Sequence, residues 1–185
     1  MKYSEGDYVV HPGQGVCQVV GVEKRTAVVG ASADDPGHEE TILEYKLSPL
    51  TGAGIRIHFP VSKEGDLRDI ISPEAARDLI RQAPSLKPDG FDKQQSWTIR
   101  DHFMECLREG DTRETMRVAK TVREHMEQAA RTGRKPRECY SSVYQAAHSR
   151  LLDELSISLK VSRERIGMLL EECYASAADC RVGLA

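Results

Sequence analysis

Up to about Pro60 the apolar residues come in short β-branched or aromatic runs: Tyr8-Val9-Val10, Val16 to Val22, Ile42 to Leu47, and Ile55 to Phe59. Gly, Pro and acidic residues separate them, a pattern that predicts four or five strands in about 60 residues. Gly6-Asp7 supplies a turn, and Pro12-Gly13 combines a fixed φ with a free one at a single corner. The stretch Ala31 to Glu40 reads as an exposed loop between two strands, and Ser48 to Gly54 as another. The expectation is a minimal half-open β-barrel of the SH3 or Tudor kind.

From Ser72-Pro73-Glu74 onward the period becomes helical, with Ser72 as N-cap and Pro73 in the first turn. The boundary is therefore expected between Val61 and Ser72, with domains over 1–66 and 72–180. About five helices follow. The first spans Pro73 to Gln82 and is ended by Pro84; Leu86 to Gly90 links it to a helix capped by Ser96 that runs to about Glu109, where Gly110 stops it. Asp111-Thr112-Arg113-Glu114 resembles a capping box opening a helix to about Arg131, which Thr132 to Pro136 breaks. Tyr140, Tyr144, Ala147, Leu151 and Leu155 then share one stripe, and Ser162 caps a last helix carrying Ile166, Leu169, Leu170 and Cys173. The fold class is α+β: a small β-barrel followed by an all-α domain.

The lone tryptophan stands off this pattern. At about 100° per residue Ile99, Phe103, Cys106 and Leu107 form one apolar face, and Trp97 lies roughly 120° from its centre. Met104 and Arg108 lie on its side of the helix, with Arg100 flanking. Two readings follow: a projecting contact residue beside arginines, or a tryptophan packed on Phe91 or another helix. A projecting apolar wedge can replace a lost base stack in an opened minor groove, while arginines and a helix amino terminus hold phosphates. A base-aromatic stack is worth ~1 to 3 kcal/mol, enough to prolong an opened state by roughly ten- to hundredfold.

Composition narrows the classes. With 39% hydrophobic and 30% charged residues in 185, the chain can bury one good core or two small ones. No apolar run approaches the ~20 residues of a membrane span and the amino terminus lacks a secretory core, so a cytoplasmic protein is expected. Net charge is −3, but residues 1–66 carry an excess of four acidic groups whereas the remainder is nearly balanced. The first part is thus ill suited to wrapping nucleic acid, and the second leaves room for a local basic patch. The five cysteines (Cys17, Cys106, Cys139, Cys173, Cys180) form no Cys-x-x-Cys pair, so neither a disulfide framework nor a zinc ribbon is expected.

Gly6-Asp7-Tyr8-Val9-Val10-His11-Pro12 with Gly15-Val16, then Glu23-Lys24-Arg25, Ile57-His58-Phe59-Pro60-Val61, and Ser96-Trp97 opening a helical domain together resemble the CarD/CdnL family of bacterial transcription factors. The first block alone is also similar to the polymerase-interacting domain of the transcription-repair coupling factor. The resemblance implies a Tudor-like domain docked on the RNA polymerase β subunit, and a helical domain at the upstream fork of the promoter bubble. There the tryptophan matching Trp97 wedges into the minor groove and retards bubble collapse. The family's first docking arginine matches Arg25, placed after the second strand. The second falls on His58, with Arg56 two residues earlier on the same strand face. A basic DNA-contacting position is matched in part by Arg100, a later lysine is replaced by His102, and Ala31 to Glu40 is longer than the usual hairpin. The expected partners are polymerase and promoter DNA, with no membrane, no cofactor and a monomeric, nucleoid-associated chain.

Other candidates are less specific. Arg108, and Arg134 with Lys135 in the cationic stretch Arg131 to Arg137, are candidate DNA contacts, a solvated loop being the alternative for the stretch. His11, Cys17, His38 and His58 could in principle assemble a metal or thiol site, but no ligand spacing supports one. Glu39-Glu40 and Glu171-Glu172 lack a nucleophile with a base, which argues against a hydrolase. The remaining alternative is a polymerase-binding adaptor that never touches DNA, with Trp97 buried.

Overall fold

β-Branched runs broken by turn residues fold into one antiparallel sheet of order β4-β3-β2-β1-β5. Its strands are β1 (Tyr8–His11), β2 (Gly15–Val29), β3 (His38–Pro49), β4 (Ile57–Pro60) and β5 (Arg68–Asp69). The computed structural model describes residues 1–29, 38–52, 54–91, 95–109 and 111–182, with side chains throughout except at 27–29, 38–39 and 175–182. Two units partition the chain, Met1–Ile70 and Ile71–Ala185. The architecture is a Tudor-like β domain followed by a helical domain.

In the first unit, β2 serves two neighbours. It pairs with β1 through Gly15 to Gln18 and with β3 from Cys17 to Val29, and the register slips between Val19 and Gly21. Such a bulge bends the strand and increases its twist, which lets 15 residues curve around a small core. Val9, Val19, Tyr45 and Leu47 are wholly buried in it. Polar stitches close the unit: the Tyr45 hydroxyl donates to Glu64 at 2.6 Å, the Tyr3 hydroxyl to Asp69 at 2.9 Å, and Lys2 Nζ lies 2.8 Å from Asp69. The Tyr45 hydroxyl and the Lys2 N–H hold the Glu64 carboxyl below its ordinary pKa.

Several strand limits differ from those expected. β2 continues through the polar Glu23 to Thr26 because β3 pairs with it residue by residue; cross-strand hydrogen bonding needs no apolar alternation there. His38 to Glu40, expected in the loop, open β3, and Ser48 still belongs to that strand; the rest of the Ala31 to Glu40 loop lies outside the described residues. Ile55 sits in the turn, its N–H bonded to Gly52 O, and is half exposed. The left-handed backbone after Pro12 is at Gly15 (φ 76°), not Gly13. The segment after β4 is a short 3-10 helix, Val61–Asp66, leading into β5.

The second unit contains α1 (Pro73–Gln82), α2 (Ser96–Glu109), α3 (Thr112–Arg131), α4 (Glu138–Leu159) and α5 (Arg163–Val182). Ser72 Oγ accepts from Ala75 N–H at 3.2 Å and Asp111 Oδ1 from Glu114 N–H at 2.9 Å, so both caps act through side chains. Ser96 does not cap: the first helical bond runs from Ile99 N–H to Gln95 O, which places Ser96 inside the first turn. Gly110 lies outside the described residues. Gly133, at φ 68°, ends α3. The core joins Phe103 of α2, Met116 of α3, Leu151 of α4 and Ile166 of α5. A buried Lys120 donates to the carbonyls of Ala83, Pro84 and Leu86 at 3.1, 2.6 and 2.7 Å, tying α3 to the 3-10 turn Ala83–Ser85 that follows α1.

Candidate functional site

Strand alternation gathers one charged face on the first unit. Glu23 and Arg25 of β2, Glu44 and Lys46 of β3 and His58 of β4 share parity across the register Glu23↔Glu44 and Lys46↔His58, opposite the buried Tyr45 and Leu47. Arg25 therefore lies inside β2, facing Ile42, rather than after the strand. His58 Nδ1 stands 3.2 Å from Glu23 Oε1 and 3.3 Å from Glu44 Oε2. Lys46 Nζ is 2.5 Å from Glu23, and it holds that carboxyl below its ordinary pKa. Arg25 Nη1 is 3.9 Å from Glu44 Oε2, an oxygen with no hydrogen-bond donor of its own.

A buried carboxylate is costly unless cations face it. Glu44 is 7% exposed; the Arg25 guanidinium faces it, the His58 ring lies within hydrogen-bond reach of it, and both keep solvent-facing surface. Arg56 precedes β4 and donates from Nη1 to Ser48 Oγ at 2.9 Å and to Ile55 O at 3.0 Å. The three expected docking positions thus share one face. Periodicity could have found Glu23, Glu44 and Lys46 too, since an interval of two in each strand places them beside Arg25 and His58. At the sheet margin β4 pairs only with β3 among the described strands, leaving an edge for a further strand.

On the second unit, Ile99, Phe103 and Leu107 are buried whereas Trp97 is 66% exposed in the first turn of α2. Phe91 does not cover it. Its ring stacks on His102 instead, with centroids 3.9 Å apart. Arg100 is exposed, and no ion pair engages it among the described residues. Arg108 differs: its guanidinium is clamped by Glu105 in a two-pronged pair and approaches Glu109. Arg134 and Lys135 are exposed on the α3–α4 connection rather than on α2.

Among the described residues the histidines and the cysteine of the first unit do not assemble. Cys17 is buried with its thiol toward Gly15 O, His11 packs edge-on to Phe59, and His58 belongs to the charged face; the side chain of His38 lies outside the described residues. Among the described residues no helix is long and apolar enough to cross a membrane.

In the chain, a small bent sheet with a charged face precedes a helical unit with an exposed aromatic. Residues 3–71 match the CarD-like/TRCF RID domain, consistent with a CarD-like family member. No curated protein matches the chain. The domain supports an RNA polymerase-interacting protein of transcription regulation, and its family is not enzymatic.

Proposed function

We propose that the chain docks its first unit on the polymerase β subunit and uses the second, through Trp97, to stabilise the promoter open complex. The observation that carries this reading is the 66% exposure of Trp97 beside Arg100, in a chain whose other unit is a polymerase-interacting domain. An exposed indole is a ready apolar wedge for an unstacked base step, and contact with backbone and junction makes binding largely independent of sequence. Arg25, Arg56 and His58 serve as the docking set. The β4 edge accepts a polymerase strand while these side chains select an acidic surface. Arg100 steadies a phosphate; Arg108 joins it only by leaving Glu105, and Arg134 with Lys135 meets the DNA backbone from the α3–α4 connection.

An adaptor that never touches DNA would keep Trp97 covered in its own core, which its exposure argues against. The test is polymerase capture together with open-complex lifetime. Arg25→Glu is expected to abolish capture. Trp97→Ala is expected to leave capture intact and shorten the lifetime roughly ten- to hundredfold, the worth of one base-aromatic stack. An unchanged lifetime in the Trp97 variant removes the wedge.

A further inference from the structure

The linker between α1 and α2 brings an aspartate against a histidine and a cysteine one helical turn apart. His102 and Cys106 occupy positions i and i+4 of α2, so they share a face. Asp89 Oδ2 lies 3.0 Å from His102 Nε2, and Cys106 Sγ lies 3.8 Å from the same nitrogen. The three donor atoms all fall within 4.8 Å of one another. Ligands at about 2.0 Å (N, O) and 2.3 Å (S) from a tetrahedral zinc are themselves separated by roughly 3.3 to 3.6 Å, so this triangle needs only small movements to close on an ion. From these positions we propose that Asp89, His102 and Cys106 form a binding site for a divalent, borderline-soft transition cation of the Zn²⁺ class.

Three further features support a built site. Asp89 is held before any ion arrives: its N–H donates to Thr121 Oγ1 at 2.8 Å and its Oδ1 accepts from Phe91 N–H at 2.8 Å, which turns Oδ2 toward His102. The Phe91 ring lies parallel to the imidazole at 3.9 Å and restricts its plane by stacking. The charges also balance. Arg117, 3.4 Å from Asp89 Oδ2, is paired with Glu114, whose carboxylate also faces the Cys106 thiol. Asp89 and Glu114 against Arg117 leave one net negative charge; a dication that displaces one thiol proton brings the group to zero. On coordination the Cys106 thiol gives its proton to solvent, and the imidazole, which in the ion-free protein donates from Nε2 to Asp89, takes up the tautomer with its proton on Nδ1 so that Nε2 presents a lone pair. The partial exposure of His102 leaves a fourth position for water.

Such an ion would clamp the linker to the helix that displays Trp97, but the site stands or falls independently of DNA binding. The experiment is titration of the tag-free, reduced full chain with Co²⁺, followed by displacement with Zn²⁺. Stoichiometric thiolate-to-cobalt charge transfer with intense tetrahedral visible bands is expected. Cys106→Ser should abolish the charge-transfer band, and His102→Gln or Asp89→Asn, which keep every cysteine, should weaken Zn²⁺ binding by at least about a hundredfold, since loss of an outer-shell partner alone costs roughly 10- to 100-fold. Far-UV circular dichroism identifies folded variants, and any one of the three that folds decides the matter. Absence of the band in the parent chain, or unaltered binding in a folded variant, overturns the site.

Discussion

The two units hold their candidate residues in opposite electrostatic states. On the β unit Arg25 and His58 lean on Glu44, and Lys46 on Glu23, so the face is already compensated. On the helical unit Trp97 and Arg100 stand in solvent without such partners among the described residues. The difference separates two kinds of binding surface. A compensated lattice of charges keeps its shape and gives up little conformational entropy on docking, whereas an exposed indole gains most of its energy only when a partner removes it from water.

The cores differ in the same sense. Among the described residues twenty buried side chains join the helical unit, while seven form the cluster of the β unit, where Tyr45, Tyr3, Glu64 and Asp69 add polar closure. The most severe disruption of this contrast is Phe103→Ala. It is expected to cost about 3 to 5 kcal/mol in the helical unit alone, seen in denaturant unfolding as loss of helical signal before the β unit responds. Simultaneous loss of both would show that the units do not unfold separately.

A smaller effect, confined to the β unit, is expected from Tyr45→Phe. It deprives Glu64 of a 2.6 Å donor and the Tyr3 N–H of its acceptor at 3.3 Å, and thermal unfolding read by amide exchange on β1 to β3 should fall. Acid should act at the same place. Because the folded pKa of Glu64 is depressed, its contribution is full above the ordinary carboxylate value and is lost as pH falls through the lower folded value. Glu64→Gln is expected to flatten the unit's stability between those pH values; an unchanged slope would assign acid sensitivity elsewhere.

The smallest changes are expected at the exposed positions of α2. Trp97→Ala and Arg108→Ala should each shift chemical stability by no more than about 0.5 kcal/mol, since neither removes a core contact. A loss above about 2 kcal/mol for Trp97→Ala would mean that the indole is structural, and the contrast between the units would fail.

Much of the fold was legible because it is encoded locally. Ser72 with Pro73, Asp111 with Glu114, and Gly133 mark helix limits through caps and turn backbone, and the stripe Ile99-Phe103-Leu107 names the buried face of α2. Strand extent was less legible. Glu23 to Thr26 look like a separator until β3 lies beside them, and pairing partners more than a dozen residues away leave no mark in a local window.

Chain pattern by itself determined the order of a β domain before helices, and it placed Trp97 off the apolar stripe, since periodicity fixes angle about a helix axis. Only the tertiary structure decided whether that angle leads to solvent or to another helix, because exposure depends on what the neighbouring segments cover. Tertiary structure likewise put His58 between Glu23 and Glu44, clamped Arg108 on Glu105, and carried Asp89 to His102 and Cys106. Those pairings join atoms a few ångströms apart, and apart from Arg108 with Glu105 they come from segments whose separation along the chain gives no measure of distance in space.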